Sequence, residues 1–532
     1  MNSVPKVTVR VSTNLQTAQS LTTQSAMGNR KLTIVAGTIL LIAGIIGLAI
    51  VAAVYVLTLM VDDRNAVVID AGSTSSKLNL YKWRDEPFRS NGDVRQINET
   101  KVEPGISNYV STPFDAYAKL EEPLRRLLMD IPMSRWKDVP VYLAATAGMR
   151  LTLLVDPLGS LDLFEALRRG LQTSGLQVET PNERIRMLSG TEEGLYGWVS
   201  VNSILGLITA KKRVSPLETM GSLDLGGAST QIAFVPADKP SNLASSFDFH
   251  SLRLFGHQYT VYSHSFLCYG KNELEKRTMG SIASKQPSSS IQNPCYPTGY
   301  VSPSKATSKL FSGPCMSGEY ALQVFKNNLT KPSSMGDSYQ FTGTGNPAEC
   351  LQYINQQFDN ATCTNPPCSF NNVHQPPTRG PFRAYAGFSY VMSYLFPKKN
   401  IGFTKSEVLN AVNTFCQKSW NDIVKDTPQS KQSFLASYCF DGLYVYSLLD
   451  HYGFKTEESW KEITFGAKIK GVSVSWALGY MLDQSGFLPS ESPKLNLPLA
   501  AFIPLAILFS LMILGGVCLL AITFCNRKNN PK

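Results

Sequence analysis

A short apolar strand, an aspartate and a glycine-hydroxyl turn occur twice in this chain. The first copy is Ala66-Val-Val-Ile-Asp70-Ala-Gly72-Ser73-Thr74, and the second is Gly221-Ser-Leu-Asp224-Leu-Gly226-Gly227-Ala-Ser229-Thr230. Each apolar run reads as a buried strand bounded by turn residues. Glycine lets the backbone turn back tightly and bring N–H groups near a ligand with no Cβ in the way. Successive N–H groups in such a turn form an anion-binding nest, and the hydroxyls add donors. The aspartate offers a hard oxygen to a divalent cation or its water. One such turn alone reads as an ordinary strand-to-hairpin turn. Its repetition predicts a duplicated lobe, with a phosphate clasp and a metal position between two jaws. Neither loop is a P-loop, since no Gly-Lys-Ser/Thr follows.

The termini constrain where the lobes sit. Leu32 to Met60 is almost wholly apolar and uncharged, as is Pro498 to Phe524. About 20 such residues suffice to cross a bilayer. The first stretch lies too far from the N-terminus, and is too long, for a cleaved signal peptide, so it reads as a signal anchor. Lys6, Arg10, Arg30 and Lys31 precede it, and Arg527, Lys528 and Lys532 follow the second. By the positive-inside rule both termini are cytosolic. Removing these seven from the 50 Lys and Arg leaves 43 against 40 Asp and Glu. A middle so nearly balanced argues against nucleic-acid binding.

The middle segment is then extracytoplasmic. Eight of the ten cysteines fall in it, at 268, 295, 315, 350, 363, 368, 416 and 439, as an oxidising compartment permits. Asn98, Asn328 and Asn360 stand in glycosylation sequons. Cys363 and Cys368 read as a small disulfide loop or one half of a zinc site, but no second Cys/His pair at finger spacing follows. Cys518 and Cys525 lie at the membrane edge, where palmitoylation is open to them.

From 66 to about 235, apolar β-rich runs alternate with helical patterns, which argues for an α/β architecture. Val139–Ala145 reads as a strand. Leu161–Thr173 reads as an amphipathic helix with Leu161, Phe164, Leu167 and Leu171 on one side. Gly190–Gly197 reads as a turn, and Trp198–Leu207 as the helix after it. Between 268 and 380, cysteines, Pro, Ser and Asn, with a low-complexity patch at Ser284–Ser290, suggest long disulfide-stapled loops. Helical patterns return near Ala384–Leu395 and Phe434–Tyr452, and Gln484–Lys494 reads as a stalk.

Three further motifs carry chemistry: Ala144-Ala-Thr146-Ala-Gly148-Met-Arg150, Ser189-Gly-Thr-Glu192-Glu193-Gly194-Leu-Tyr-Gly197-Trp198, and Ser475-Trp476-Ala-Leu-Gly479-Tyr-Met-Leu. Thr146 follows a strand and is suited to hold a phosphate or a water. The paired carboxylates are candidates for general-base work, and the last motif is an apolar helix start.

These three motifs with the two loops, in this order, resemble the five apyrase signature regions of the ecto-nucleoside triphosphate diphosphohydrolases, cell-surface two-span type. The resemblance runs through the whole ectodomain and both anchors. It implies an α/β fold with two RNase H-like lobes of the actin/Hsp70/sugar-kinase superfamily, a nucleotide cleft between them and two transmembrane helices. The implied organisation is a cytosolic tail 1–31, a signal anchor 32–60, lobe I over 61–189 and 466–486, lobe II over 190–465, a stalk 487–497, a transmembrane helix 498–524 and a cytosolic tail 525–532.

The resemblance also implies roles. Glu193 is expected to be the general base and Glu192 a neighbour without that role. Asp70 and Asp224 are expected to hold Ca²⁺ or Mg²⁺ through its waters. Ser73, Thr74, Gly226, Gly227, Ala228 and Ser229 would grip phosphates, and Thr146 and Gln231 would place the water. Trp476 would support the metal-binding Asp, and Tyr390 and Tyr438 would hold the nucleobase, giving broad base tolerance. The expected bridges are Cys268–Cys315, Cys295–Cys350, Cys363–Cys368 and Cys416–Cys439. Two departures stand out. Phe434 takes the place of an Arg near the base pocket of some relatives, and the ectodomain has eight cysteines where cell-surface vertebrate-type members usually have ten.

The reading is a plasma-membrane apyrase, ectodomain outside, that hydrolyses extracellular ATP, ADP and other nucleoside tri- and diphosphates and so acts on purinergic signalling. The extracellular site speaks against a kinase. The alternatives are a secretory-lumen nucleoside diphosphatase and a catalytically silent nucleotide-sensing or adhesion ectodomain. The intact set of Glu193, Asp70 and Asp224 speaks against the silent reading. The two spans are suited to associate, with Gly37 and Gly44 on one helix face at seven-residue spacing, and a homo-oligomer is compatible with the reading.

Overall fold

A computed structural model of the full chain describes residues 14–59, 63–84, 91–212, 214–237, 247–286, 288–425, 427, 432, 434–488 and 497–528. Two compact units result: one of the terminal segments and one spanning Asp63 to Leu488. In the first, helices Asn14–Leu59 and Leu499–Lys528 include Arg30–Leu59 and Leu499–Cys525, both long and apolar enough to cross a membrane. They pack through small residues. A Cβ on Gly44 would lie 2.7 Å from Ile513, and one on Gly516 would lie 2.8 Å from the Gly37 carbonyl. Tyr55 stacks on Phe502 with ring centroids 4.1 Å apart. Gly37 and Gly44 thus face the other helix of the same chain, the close backbone approach that small residues permit. Of the predicted cytosolic tails, residues 1–13 and 529–532 lie outside the described residues, as does most of the predicted stalk.

The second unit begins with β1 (Asp63–Ala71), β2 (Ser76–Arg84), β3 (Arg95–Val102), β4 (Val141–Ala145) and β5 (Ile185–Met187), ordered β3-β2-β1-β4-β5. Ala66, Val67, Val68 and Ile69 are fully buried. Successive side chains of a strand point to opposite faces, so β1 feeds two cores. Val67 and Ile69 meet Leu120, Leu124, Leu163 and Leu167, while Ala66 and Val68 meet Trp198, Trp476 and Tyr480. A run with no polar alternation is what such a doubly covered strand requires.

The other sheet contains β6 (Gly221–Leu225), β7 (Ser229–Phe234), β8 (Phe249–Leu254) and β9 (His257–Leu267). Beyond a small sheet of β10 (Ser290–Asn293), β11 (Lys305–Ala306) and β12 (Ser338–Gly343), it adds β13 (Phe382–Ala386) and β14 (Ile463–Phe465), ordered β14-β13-β6-β7-β9-β8. The sequence repeat is a repeat of topology. Asp70 pairs antiparallel with Lys77 and parallel with Ala144, and Asp224 pairs antiparallel with Gln231 and parallel with Tyr385. The turns match too: Gly72 N donates to Ser75 O at 3.0 Å, and Gly226 N to Ser229 O at 2.9 Å. One core, with Val68 and Tyr142 from one sheet, Ala233 and Val261 from the other and Trp198 and Trp476 among its helical members, joins the lobes.

Several expected elements differ. The helix expected at Leu161 starts at Pro157, where the Asp156 side chain accepts from Gly159 N. Leu161 is 59% exposed, and the buried face is Leu163, Phe164, Leu167 and Leu171. Steps of three residues lag the 3.6-residue repeat, so a row of them drifts off the core face. Gly190–Gly197 is not a turn: one helix runs from Gly190 to Leu205, opened by a capping box between Ser189 and Glu192. Its glycines serve packing, because a Cβ on Gly194 would lie 2.5 Å from Ser263 Oγ and one on Gly197 would strike the Tyr385 hydroxyl.

The expected strand Val139–Ala145 is β4, beginning at Val141. Ala384–Leu395 divides into β13 and helix Gly387–Leu395, because pairing with β6 claims the run up to Ala386, where φ is +50°. The expected Phe434–Tyr452 helix is Tyr438–His451. The segment 268–380 is more ordered than loops, with helices Lys271–Ser284 and Pro347–Asn355 beside the small sheet. Disulfides join Cys268 to Cys315, Cys295 to Cys350, Cys363 to Cys368 and Cys416 to Cys439. Cys518 and Cys525 are unpaired and exposed, and Asn98, Asn328 and Asn360 are exposed.

Candidate active site

The two glycine turns face one another. A Cβ on Gly227 would lie 2.7 Å from Ser73 Oγ and 3.6 Å from Thr74 Cγ2. A Cβ on Gly148 would lie 2.7 Å from Ser73 Cα, and one on Gly270 would strike Ala228 N and Ser229 N. Glycine is required at these points by close approach rather than by turn geometry. Helix Lys271–Ser284 fixes the second turn from behind. Lys271 N donates to Gly226 O and Asn272 N to Gly227 O, each at 2.9 Å. Those carbonyls are thereby committed. The N–H groups of Ser73, Thr74, Gly227 and Ala228 meet no acceptor among the described residues. Two facing pairs of free N–H groups suit an anion of extended shape.

Three carboxylates stand at this junction. Asp70 and Asp224 end the equivalent strands β1 and β6, and Glu193 lies in the first turn of helix Gly190–Leu205. Burial pushes the Asp70 carboxyl up, against the pull of Lys77 and of Trp476, whose Nε1 donates to Asp70 Oδ1 at 2.9 Å. Burial, then Glu193 and Asp70, push Asp224 up to about 8. Burial raises Glu193 as well, opposed by Arg150. Buried like charges that raise one another ask for a countercharge, and hard oxygen donors suit Ca²⁺ or Mg²⁺. Among the described residues no group of three or more His, Cys, Asp or Glu is placed to ligate one ion directly. A cation here therefore needs water or substrate oxygens to complete its shell.

The two adjacent glutamates have different surroundings. Glu192 is taken up by structure: Arg186 donates to both its oxygens at 2.7 and 3.1 Å, and Ser189 N donates to Oε2. Burial opposes its ionisation, yet Arg186 and Ser189 together hold its carboxyl below the usual range. Glu193 is approached on one oxygen, Oε2, by Arg150 Nη2 at 2.7 Å and Gln231 Nε2 at 3.1 Å. Gln231 Nε2 also reaches Ser229 Oγ at 2.7 Å and Ser265 Oγ at 2.9 Å. Gln231 Oε1 and Arg150 Nε are buried with no protein partner among the described residues.

Thr146 follows β4 and caps helix Ala147–Val155. Its N–H donates to Ala71 O at 3.1 Å and its hydroxyl leans on the same carbonyl at 3.5 Å, which ties it to the first turn. The aromatic residues lie on two helices. Tyr390 is 59% exposed on Gly387–Leu395, and half-buried Tyr438 begins Tyr438–His451. Tyr394 meets Tyr438 edge to face at 5.1 Å, and Phe434 is exposed nearby in sequence. Sequence reasoning assigned no role to Arg150 or Tyr394. Arg150 closes the Thr146 motif, and Tyr394 lies four residues, one helical turn, after Tyr390, so a signal existed for each.

Two α/β lobes sharing a core, each ending its central strand in an Asp and a Gly-hydroxyl turn, give the chain an actin-like fold. Nucleoside triphosphate hydrolases from Neospora caninum superpose with a TM-score of 0.56 at 17% identity over 80% of this chain and 93% of theirs, a likeness of fold. The chain belongs to the GDA1/CD39 (nucleoside phosphatase) family, whose profile matches residues 56–497. It is 35% identical to ectonucleoside triphosphate diphosphohydrolase 1 of Mus musculus, over 84% of this chain and 86% of that one. It is 33% identical to ectonucleoside triphosphate diphosphohydrolase 3 of Homo sapiens, over 85% of each.

Proposed function

We propose that this nucleoside phosphatase is an apyrase that hydrolyses nucleoside tri- and diphosphates to the monophosphate and inorganic phosphate. The observation that carries the reading is the pair of facing turns with free N–H groups, bordered by Asp70, Asp224 and Glu193. The relatives' activity on nucleoside triphosphates and diphosphates agrees with it. In this reading the free N–H groups of Ser73, Thr74, Gly227 and Ala228 and the hydroxyls of Ser73, Thr74 and Ser229 hold the phosphates, and Gly226, whose N–H closes the turn on Ser229 O, shapes that grip. A divalent cation, Ca²⁺ or Mg²⁺, held between Asp70 and Asp224 through its waters would offset phosphate charge. Glu193 takes a proton from water lying in line with the terminal phosphorus, and Gln231 and Thr146 orient that water. The site's fixed donors meet the charge that develops on the phosphoryl oxygens, which is the main demand of this chemistry. Tyr390 and Tyr438 hold the base by stacking, which tolerates any base.

The ectodomain faces the outside of the plasma membrane and both termini the cytosol. The charges flanking the spans, the four disulfides and the exposed sequon asparagines support that orientation.

Phosphate release from ATP and ADP by intact cells expressing the chain tests the reading, run with Ca²⁺, Mg²⁺ and chelator beside Glu193→Ala. Cation-dependent release from both nucleotides, lost in the variant, is expected. Release only after permeabilisation would move the enzyme to a secretory lumen. No release under either condition would sink the catalytic reading.

A further inference from the structure

Arg150 is the residue at this site whose contacts the proposed reaction leaves unused. It lies on helix Ala147–Val155, after β4 of the first lobe. From there its Nη2 reaches Glu193 Oε2 at 2.7 Å and Ser229 Oγ at 3.1 Å, in the turn of the second lobe. Its side chain is almost wholly buried, as is that of Glu193. Room for it is built in, because a Cβ on Gly190 would lie 2.6 Å from Arg150 Nη1. Glu193 itself is placed by the helix start at Ser189, and its N–H bonds Ser189 O at 3.0 Å.

The arrangement is selective between the two oxygens of one carboxylate. Both donors to Glu193, Arg150 and Gln231, take Oε2, and none among the described residues takes Oε1. A charge-assisted bond from a planar guanidinium is directional as well as strong. It fixes the carboxylate's rotation and leaves Oε1 as the open lone-pair site. Through Ser229 the same guanidinium ties that orientation to the phosphate-facing turn. Among the described residues the charged groups acting on Glu193 are Arg150, Asp70 and Asp224, and Arg150 is the cation of the three.

We propose that Arg150 is a positioning residue that holds Glu193 by Oε2, so that Oε1 faces the attacking water, and registers the base against the Ser229 turn. This rests on the reading of Glu193 as general base. In the step, Oε1 gains the water proton, the water oxygen bonds phosphorus, and the bridging oxygen leaves with its electron pair. Arg150 gives up no proton.

The test measures kcat and KM for ATP on the detergent-solubilised full chain, for Arg150→Ala, Arg150→Lys and Glu193→Ala. Arg150→Ala is expected to lower kcat about 100-fold with KM changed less than about threefold, the signature of a misplaced catalytic group. Guanidinium ion at tens of millimolar is expected to restore much of that kcat, and urea at equal concentration is not. Arg150→Lys, which keeps the charge and loses the fork, is expected to fall between. A kcat within about twofold of wild type, or a rise in KM alone, would overturn the proposal. So would a loss that neither guanidinium nor lysine repairs, since that is a packing defect. If Arg150→Ala does not fold, Arg150→Lys decides: reduced kcat at unchanged KM supports the role and wild-type kcat overturns it. Glu193→Ala retaining activity would instead sink the base reading, whatever Arg150 does.

Discussion

Trp476 Nε1 donates to Asp70 Oδ1 at 2.9 Å, joining residues 406 positions apart. Helix Trp476–Gln484, the last of the unit that spans Asp63 to Leu488, thereby sets the direction of the carboxylate near the end of its first strand. Trp476 is buried and meets Tyr480 edge to face at 5.8 Å, so its ring is also core.

Trp476→Phe separates these roles, keeping an aromatic ring and removing the donor. A hydrogen bond to a charged group contributes about 1.5–3 kcal/mol. The half-saturating cation concentration is therefore expected to rise about tenfold or more. A cation titration of phosphate release checks it, and an unchanged midpoint would mean that Asp70 is oriented by other contacts.

The pH dependence has a definite sign. Asp224 has a carboxyl raised from 3.8 to about 8 by burial, Glu193 and Asp70. The folded chain thus binds this proton more tightly than the unfolded chain does. The contribution to stability is full below the ordinary aspartate value and is lost as pH rises through about 8. A bound cation displaces the proton, so cation affinity rises over the same window. Thermal midpoints of the chain with chelator and with Mg²⁺ should diverge as pH is raised towards 8. A constant gap would contradict the argument.

Glu193 acts on the same acidic side of the profile. Burial raises its carboxyl above the ordinary 4.5, so protonation silences the base at a pH above that value. Phosphate release is expected to fall on acidification with its half-point above 4.5. Glu193→Gln should remove the part of that fall due to Glu193, leaving the part due to cation loss at Asp224, along with about 10²–10⁴ of the rate.

Gly227→Ala places a methyl group 2.7 Å from Ser73 Oγ. The hydroxyl must rotate away, and the facing turns lose one donor. Loss of one such donor is expected to lower kcat about 10²-fold while the thermal midpoint shifts little. Normal kcat in a folded variant would remove Ser73 from the phosphate site.

Tyr390→Ala and Tyr438→Ala are expected to raise KM for adenine and uracil nucleotides alike. Stacking on an aromatic ring contributes about 1–3 kcal/mol per base whatever its identity. A loss confined to one base would point to hydrogen-bonded recognition instead. Tyr438→Ala also removes the ring that Tyr394 abuts, so Tyr394→Ala serves as its control.

Local patterns carried what depends on neighbours along the chain. Ala66–Asp70 and Leu223–Asp224 are strands because unbroken apolar runs suit doubly covered sheet positions, and glycine with hydroxyls closes each turn. The two terminal helices long and apolar enough to cross a membrane were legible from length and absence of charge. Ser189 and Glu192 spell a capping box, yet the glycines after them suggested a turn. Only the nearness of Ser263 and Tyr385 explains those glycines.

What the sequence alone determined was the duplicated backbone unit, because its physics lies within ten residues of each aspartate. Tertiary structure decided which oxygen of Glu193 is held, which donor reaches Asp70 and which face of Pro157–Thr173 is buried. Those contacts join residues 43 and 406 positions apart, or depend on a sheet packed alongside. No local periodicity encodes them, since chain separation says nothing of distance until both sheets have closed on their shared core.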